Sequence, residues 1–306
     1  MSGAREKKPL SGHARRVICA ALLILFLAFG YTEPGKAMWG AWTKAFGLAH
    51  FTQALPEDAL HIHVLRVGKA DAILLESPDA AVLVDCGTAD ATDEILRYLD
   101  ARGITRLDAV WISHPDADHR GGLQAVLETV PVNVVVESVY AESLEELVAL
   151  PDALSLLQAE AGDRYTYGDM AFEVLAPDRD YADANDASVV FRLRYGAFTM
   201  LFCGDIQEAG ERALLESGES LHADVLKVAH HGSNSSTSAE FLALVQPAYA
   251  VISSGVDRNM LPRNAVLKRL ADAQVRVFRT DTDGTVVFSV QSDAITVTTE
   301  NAGRAL

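Results

Sequence analysis

The sequence predicts an α/β (α+β) domain built as a four-layer αββα sandwich, with two mixed sheets facing each other and helices outside. Three observations lead there. Short β-branched runs alternate with helix-spaced segments from about Leu60 onward. The pattern of the first half returns in the second, as in a diverged duplication. Both halves contain an apolar strand that ends in clustered histidine and aspartate residues.

Taken in order, HIHVLRV (61–67) alternates and reads as a strand, followed by DAILLES (71–77), a Pro-Asp turn and AVLVDCG (81–87). ATDEILRYLDARG has helical spacing and a terminal glycine, Gly103. LDAVWISH (107–114) is a strand, GGLQAVLETV a helix and VNVVVES a strand. The segment 143–162, SLEELVALPDALSLLQAEAG, is expected to be helix broken at Pro151. The β pattern then resumes in DMAFEVLAPD and SVVFRLRYGAFTMLFCGD. QEAGERALLES is a helix, ADVLKVAHHGS a strand ending in histidines, and TVVFSVQ with AITVTTE a closing hairpin.

The first ligand cluster is ISHPDADHRGGL, which holds His114, Asp116, Asp118 and His119 within six residues. Imidazole nitrogen and carboxylate oxygen together suit zinc, manganese or iron. The plain alternative is a polar turn in which Asp118 caps the following helix. Gly121 and Gly122 would let the chain turn tightly beneath the cluster. The second cluster is Asp205 in LFCGDI with His230 and His231 in LKVAHHGS. Asp205 is a candidate ligand or the cap of the next helix. Adjacent histidines on a strand cannot both point inward. One is therefore expected to bind metal, here His230, and the other, His231, to act catalytically on a proton or an anionic oxygen. His61 and His63 read as structural. Asn185 and Ser233 are candidate substrate contacts, with turn or loop roles as the alternative. No serine nucleophile elbow and no Walker-type phosphate loop is present.

The 306-residue chain carries a net charge of −16. Its first 37 residues hold six Lys/Arg and two Asp/Glu, so the acidity belongs to the body. Such a body repels a nucleic-acid backbone unless basic groups gather locally. Between Asp257 and Arg279 they do, with six Lys/Arg against two Asp/Glu, and Arg258 is the candidate phosphate contact there. The N-terminus combines basic residues, the apolar run Val17–Tyr31 and a small-x-small pattern at Gly35–Ala37. Residues 1–37 are thus expected to be a signal peptide or an N-terminal membrane anchor, 38–58 a linker and 59–306 the catalytic domain. Either export route places the body outside the cytoplasm, secreted or anchored to the cell membrane. Export permits a disulfide between Cys86 and Cys203, and two buried thiols satisfy the sequence equally.

With these motifs in hand, the chain resembles the metallo-β-lactamase-fold superfamily, and within it the ComEC-type branch, from about Leu60 to Val297. The matching stretches are HVLRVGKADAILL, VLVDCG, HPDADH, LFCGD and LKVAHHGS. Asp116 stands where the superfamily's HxHxDH motif has its second histidine. Arg66 and Ala70 stand where the branch has Asp and Gly, and Leu261 stands where it has the histidine of Tyr-Gly-His-Pro. The resemblance implies two divalent ions, Zn²⁺ first and Mn²⁺ as the alternative. His114 and Asp116 would hold one ion. Asp118, His119 and a histidine of the 230–231 pair would hold the other, with Asp205 bridging. Asp118 would also orient the attacking water. The expected activity is hydrolysis of a phosphodiester, with DNA as a candidate substrate. The alternatives are a carbonyl ester, lactone or wall-polymer phosphate ester, or a non-catalytic binding module with a degraded site.

Overall fold

The computed structural model describes residues 55–151, 154–255 and 260–301, and Thr32. The apolar run Val17–Tyr31, the 38–54 part of the expected linker and Arg258 lie outside the described residues. By contacts, the chain divides into a unit of Met1–Thr52 and a unit of Gln53–Leu306. Among the described residues no helix is long and apolar enough to cross a membrane.

In the second unit, β1 (Leu60–Val64), β2 (Ile73–Glu76) and β3 (Ala81–Val84) form the expected antiparallel meander. Helix α1 (Thr92–Ala101) returns the chain to β4 (Ala109–Trp111), which runs parallel to β3. Helices α2 (Ala117–Arg120) and α3 (Leu123–Thr129) lead to β5 (Val134–Ser138). Helix α4 is a single turn, Leu144–Leu147, and β6 (Ser155–Ala159) follows.

The helix expected over 143–162 is therefore mostly wrong. SLLQA is a strand paired in parallel with β5 from Val134↔Ser155 to Ser138↔Ala159. A five-residue apolar run fits either state, and the free edge of β5 decides it. Strand β7 (Arg164–Tyr167), which the sequence reading passed over, opens the second sheet with β8 (Met170–Ala176), β9 (Val190–Tyr195) and β10 (Phe198–Phe202). Helix α5 (Glu208–Glu216), β11 (Val225–Lys227), α6 (Ala239–Val245), β12 (Tyr249–Ile252), α7 (Asn264–Asp272) and β13 (Arg276–Arg279) complete it. After the short α8 (Thr280–Asp283), the hairpin β14 (Val286–Gln291) and β15 (Ala294–Thr299) crosses back to pair with β1.

The sheet orders are β15-β14-β1-β2-β3-β4-β5-β6 and β13-β12-β11-β10-β9-β8-β7. One apolar cluster joins their inner faces. Ile62, Val82, Trp111 and Phe288 come from the first sheet, and Phe172, Phe191, Met200 and Phe202 from the second. Trp111 stacks on Phe172 at 5.1 Å, and Phe191 on Phe202 at 4.6 Å. Each such ring pair adds about 0.5–1.5 kcal/mol beyond its buried area. A second cluster lies under α5, α6 and α7 on the outer face of the second sheet, through Leu214, Phe241, Val266 and Leu270. The predicted sandwich is thus observed. Cys86 and Cys203 are buried free thiols.

Candidate metal centre

The site forms where parallel strands of both sheets end together. Registers Val84↔Trp111 and Phe202↔Lys227 make Asp85, Ser113, Asp205 and the histidine pair emerge side by side. The Val189 amide donates to the Ser113 carbonyl at 2.8 Å and stitches the two strand ends across the sheets. The ends of parallel strands are where α/β proteins place ligands.

The HPDADH segment is held down by backbone bonds. Asp71 N donates to Asp118 O at 3.1 Å, and Cys86 N to His119 O at 2.5 Å. Gly121 and Gly122 have ordinary helical φ of −56° and −87°, so the expected tight turn is not their role. They are glycine because the chains touch. A Cβ on Gly121 would lie 2.4 Å from the Ala117 oxygen, and one on Gly122 would lie 2.3 Å from the Cys86 oxygen.

Four of the candidate ligands, His114, Asp118, His119 and Asp205, converge, and His231 joins them. His114, His119 and Asp205 offer atoms within 4.8 Å of one another, and so do Asp118, His119 and His231. Asp205 Oδ1 is 3.4 Å from His119 Nε2, and its Oδ2 is 3.5 Å from His231 Nε2. His231 Nε2 is also 3.5 Å from Asp118 Oδ2. The far nitrogens are fixed from behind. His231 Nδ1 donates to the Ser253 carbonyl at 3.0 Å. His119 Nδ1 bonds Asp85 Oδ2 at 2.9 Å, and His114 Nδ1 bonds Ser113 Oγ at 3.0 Å. That is how proteins orient imidazole ligands. The inward atoms His114 Nε2, His119 Nε2, His231 Nε2 and Asp205 Oδ1 are buried without a hydrogen-bond partner. Buried polar atoms are rarely left so, and a cation at their centre would satisfy all of them. The donor set therefore fits divalent metal.

The buried carboxylates and imidazoles shift one another strongly. Burial pushes the His114 imidazole down to about 3, with neighbouring His119 adding to the effect, so it presents a neutral nitrogen. Burial would lower His119 too, but Asp205 and Asp85 outweigh it and hold it well above its usual value. Burial would raise the Asp205 and Asp118 carboxyls, yet the surrounding imidazoles, and Lys69 at Asp118, hold both below the usual range.

Of the two adjacent histidines, it is His231 and not His230 that lies within the converging groups. His231 is fully buried in the ligand set, whereas His230 is 21% exposed and its Nε2 is 3.8 Å from Asp205 Oδ2. Both have left-handed backbones, φ 48° and 51°, so strand alternation does not govern them. Asp116 is 53% exposed, 3.8 Å from His114 Nε2, and joins none of the converging groups. Ser233 lies in the loop after the histidines, its amide bonded to the His230 carbonyl at 2.8 Å. Asn185 is one residue removed from Asp205. Its carbonyl accepts from Ser188 Oγ, which in turn accepts from Asp205 N. Neither Asp118 nor Asp205 caps the helix after it. Asp186 caps α5, taking the Gln207 and Gly210 amides at 2.8 Å each. His61 and His63 are buried structural groups, bonded to Ser289 and to Tyr98.

Sequence reasoning missed the floor of the site. Asp71 and Lys227, both almost fully buried, pair at 2.7 Å directly beneath the ligands. Asp71 also falls within the groups Asp71, Asp205, His231 and Asp71, Asp85, His119. The available signal was a lysine inside the apolar strand VLKVA, which demands a buried counter-charge.

Comparison with known proteins agrees with this geometry. Residues 65–256 match the model of the metallo-beta-lactamase superfamily. The chain is 34% identical to competence protein ComA of Neisseria gonorrhoeae over 277 residues, which is 89% of this chain and 38% of that protein. It is 31% identical to ComE operon protein 3 of Bacillus subtilis, covering 74% of this chain and 32% of that protein. The chain thus spans about a third of the length of these relatives. The crystal structure of the metallo-beta-lactamase fold protein YhfI from Bacillus subtilis superposes with a TM-score of 0.54 at 14% identity, covering 76% of this chain and all of that one. With the sandwich, the converging ligands and these matches together, the chain belongs to the metallo-beta-lactamase superfamily.

Proposed function

We propose that this chain is a metal-dependent phosphodiesterase whose body lies outside the cytoplasm. The observation that carries hydrolysis is the convergence of partnerless imidazole nitrogens and a carboxylate oxygen at the shared strand ends. Divalent ions held there supply Lewis acidity, making water a nucleophile at neutral pH and polarising the group it attacks. His114 would hold one ion with Asp116, whose exposed carboxylate lies 3.8 Å from His114 Nε2 and would have to turn inward to complete the pair, and Asp118, His119 and His231 would hold the other. Asp205, grouped with His114 and His119 and also 3.5 Å from His231, would be the ligand shared between the two. Asp118 orients the water and accepts its proton. His230 sits at the rim, where it meets substrate with Ser233 and Asn185. Arg258 is proposed as a phosphate contact.

Relatives named for competence support a nucleic-acid substrate.

The test is metal analysis of the full chain purified without chelator, with hydrolysis of bis-p-nitrophenyl phosphate and of single- and double-stranded DNA. Two Zn²⁺ or Mn²⁺ ions and activity abolished by Asp118→Ala are expected. Bound metal with no diester cleavage would refute the phosphodiester assignment. Export is tested by fusing residues 1–58 to an alkaline phosphatase reporter, which should become active only outside the cytoplasm.

A further inference from the structure

The loop that follows Gly232 returns to His230. Ser235 Oγ lies 3.3 Å from His230 Nδ1. The same hydroxyl donates to Ser233 Oγ at 2.9 Å. Its one hydrogen is therefore committed, and toward the imidazole it accepts. Nδ1 then carries the hydrogen, and Nε2 is the ring atom left for the site. Nε2 is also the atom 3.8 Å from Asp205 Oδ2, on the side of the converging ligands.

The loop is built to hold that hydroxyl still. At its start the Ser233 amide donates to the His230 carbonyl at 2.8 Å, and the Ser235 amide to Ser233 Oγ at 3.4 Å. Ser236 Oγ reaches the Ala229 carbonyl at 3.5 Å. At its end, Glu211 of α5, almost fully buried, accepts from the Thr237 amide and, at 3.0 Å, from the Ser238 amide. Arg269 of α7 donates to the Ser236 and Thr237 carbonyls at 2.9 and 2.8 Å. Two helices thus clamp residues 236–238, and Ser235 is carried between that clamp and the histidine turn.

His230 is the imidazole that needs such a hold. It is 21% exposed, whereas His231 beside it is fully buried among the ligands. Among the described residues, the His230 ring has one hydrogen-bond partner, Ser235 Oγ. A rim side chain without a tether samples several rotamers, and ordering it on binding costs affinity and orientation. We propose that Ser235 is a positioning residue, whose hydroxyl holds His230 by Nδ1 and aims Nε2 at substrate in the mouth of the centre. This rests on the contact between His230 and substrate proposed above.

The test compares the full chain with Ser235→Ala, Ser235→Thr, His230→Ala and the double variant Ser235→Ala with His230→Ala, metal content being measured for each. Losing one side-chain hydrogen bond should lower kcat/KM for bis-p-nitrophenyl phosphate about three- to tenfold in Ser235→Ala. Ser235→Thr keeps the hydroxyl and should restore most of it. In the His230→Ala background, Ser235→Ala should cost less than about twofold further, since the ring it holds is gone. Losses that multiply overturn the proposal, because Ser235 would then act through the loop and not through His230. An unchanged kcat/KM in Ser235→Ala or in His230→Ala overturns it as well. So does loss of metal from Ser235→Ala, since Ser235 would then support the ligands. Nitrogen-15 NMR of the histidine-labelled full chain reads the ring without turnover. The signal missing from His230→Ala should report hydrogen on Nδ1, and should move toward the other tautomer in Ser235→Ala. The same ring signal in both proteins overturns the proposal. If the full chain cleaves no diester, the phosphodiesterase assignment fails separately, and the NMR signal still decides whether Ser235 holds His230.

Discussion

Replacing Lys227 with methionine isolates the energetics of the floor. The pair with Asp71 spans 2.7 Å, and both side chains are almost completely buried. At an effective dielectric of about 20, two charges at that distance attract by roughly 6 kcal/mol before desolvation is counted. Burial lowers the lysine's affinity for its proton, but Asp71 reverses this and keeps the ammonium charged. In Lys227→Met the apolar stem is preserved while Asp71 stays buried beside Asp205 without its cation. Breaking a buried pair from one side costs about 3–5 kcal/mol. Urea unfolding of the metal-free chain, followed by circular dichroism, should show that loss. The double variant Asp71→Asn with Lys227→Met removes both charges and should recover at least half of it. A single-variant cost below about 1 kcal/mol, or a double variant no more stable than the single, would refute the view that this pair is a mutually dependent buried charge couple.

Other outcomes follow from the same geometry. His231→Ala should abolish metal at one position, whereas His230→Ala should retain metal and lose turnover; metal content by mass spectrometry of the native protein separates them. Gly122→Ala drives a methyl into the Cys86 carbonyl and should destabilise the chain by about 2 kcal/mol or more, read as a lowered unfolding midpoint. Burial pushes the His63 imidazole down to about 4, from 6.5 in the unfolded chain. The unfolded state then binds the proton first, so stability falls as pH drops from about 6.5 to about 4, by about 3 kcal/mol in all. His63→Gln should flatten that part of the pH–stability curve, measured by urea midpoints at pH 7 and 4.5. Glu76 adds a loss at lower pH. Burial would raise its carboxyl, but His63 and Arg102 hold it at about 2, so its contribution fades as pH falls below 4.5.

Much of the site was legible because its ligands end strands. His114, Asp118, His119 and Asp205 each follow an apolar run whose direction the sequence gives away, and the structure brings them together. The order of His230 and His231 was not legible. Strand alternation presumes an extended backbone, and these two residues leave it at the strand end. Asp116 matches the motif by position, yet it turns outward, with the α2 amides of His119 and Arg120 bonded to its carbonyl at 3.0 Å each. SLLQA shows the same limit in the fold. Its five residues carry too little periodicity to choose a state, and the neighbouring strand chose for them. Asp71 and Lys227 lie 156 positions apart, and only the tertiary pairing makes either informative.

The left-handed backbones of His230 and His231 set a conflict between folding and chemistry. Each such non-glycine residue costs roughly 1–2 kcal/mol. Glycine would remove that cost at either position, so a chain shaped by stability alone would drift toward Gly-Gly after VLKVA. Retaining two imidazoles in so unfavourable a conformation implies a compensating pressure on their nitrogens. His231→Gly should accordingly leave a more stable protein than His231→Ala while being equally defective. A descendant of this chain freed from selection for turnover would be recognisable by glycine or asparagine at these two codons before any change in its core.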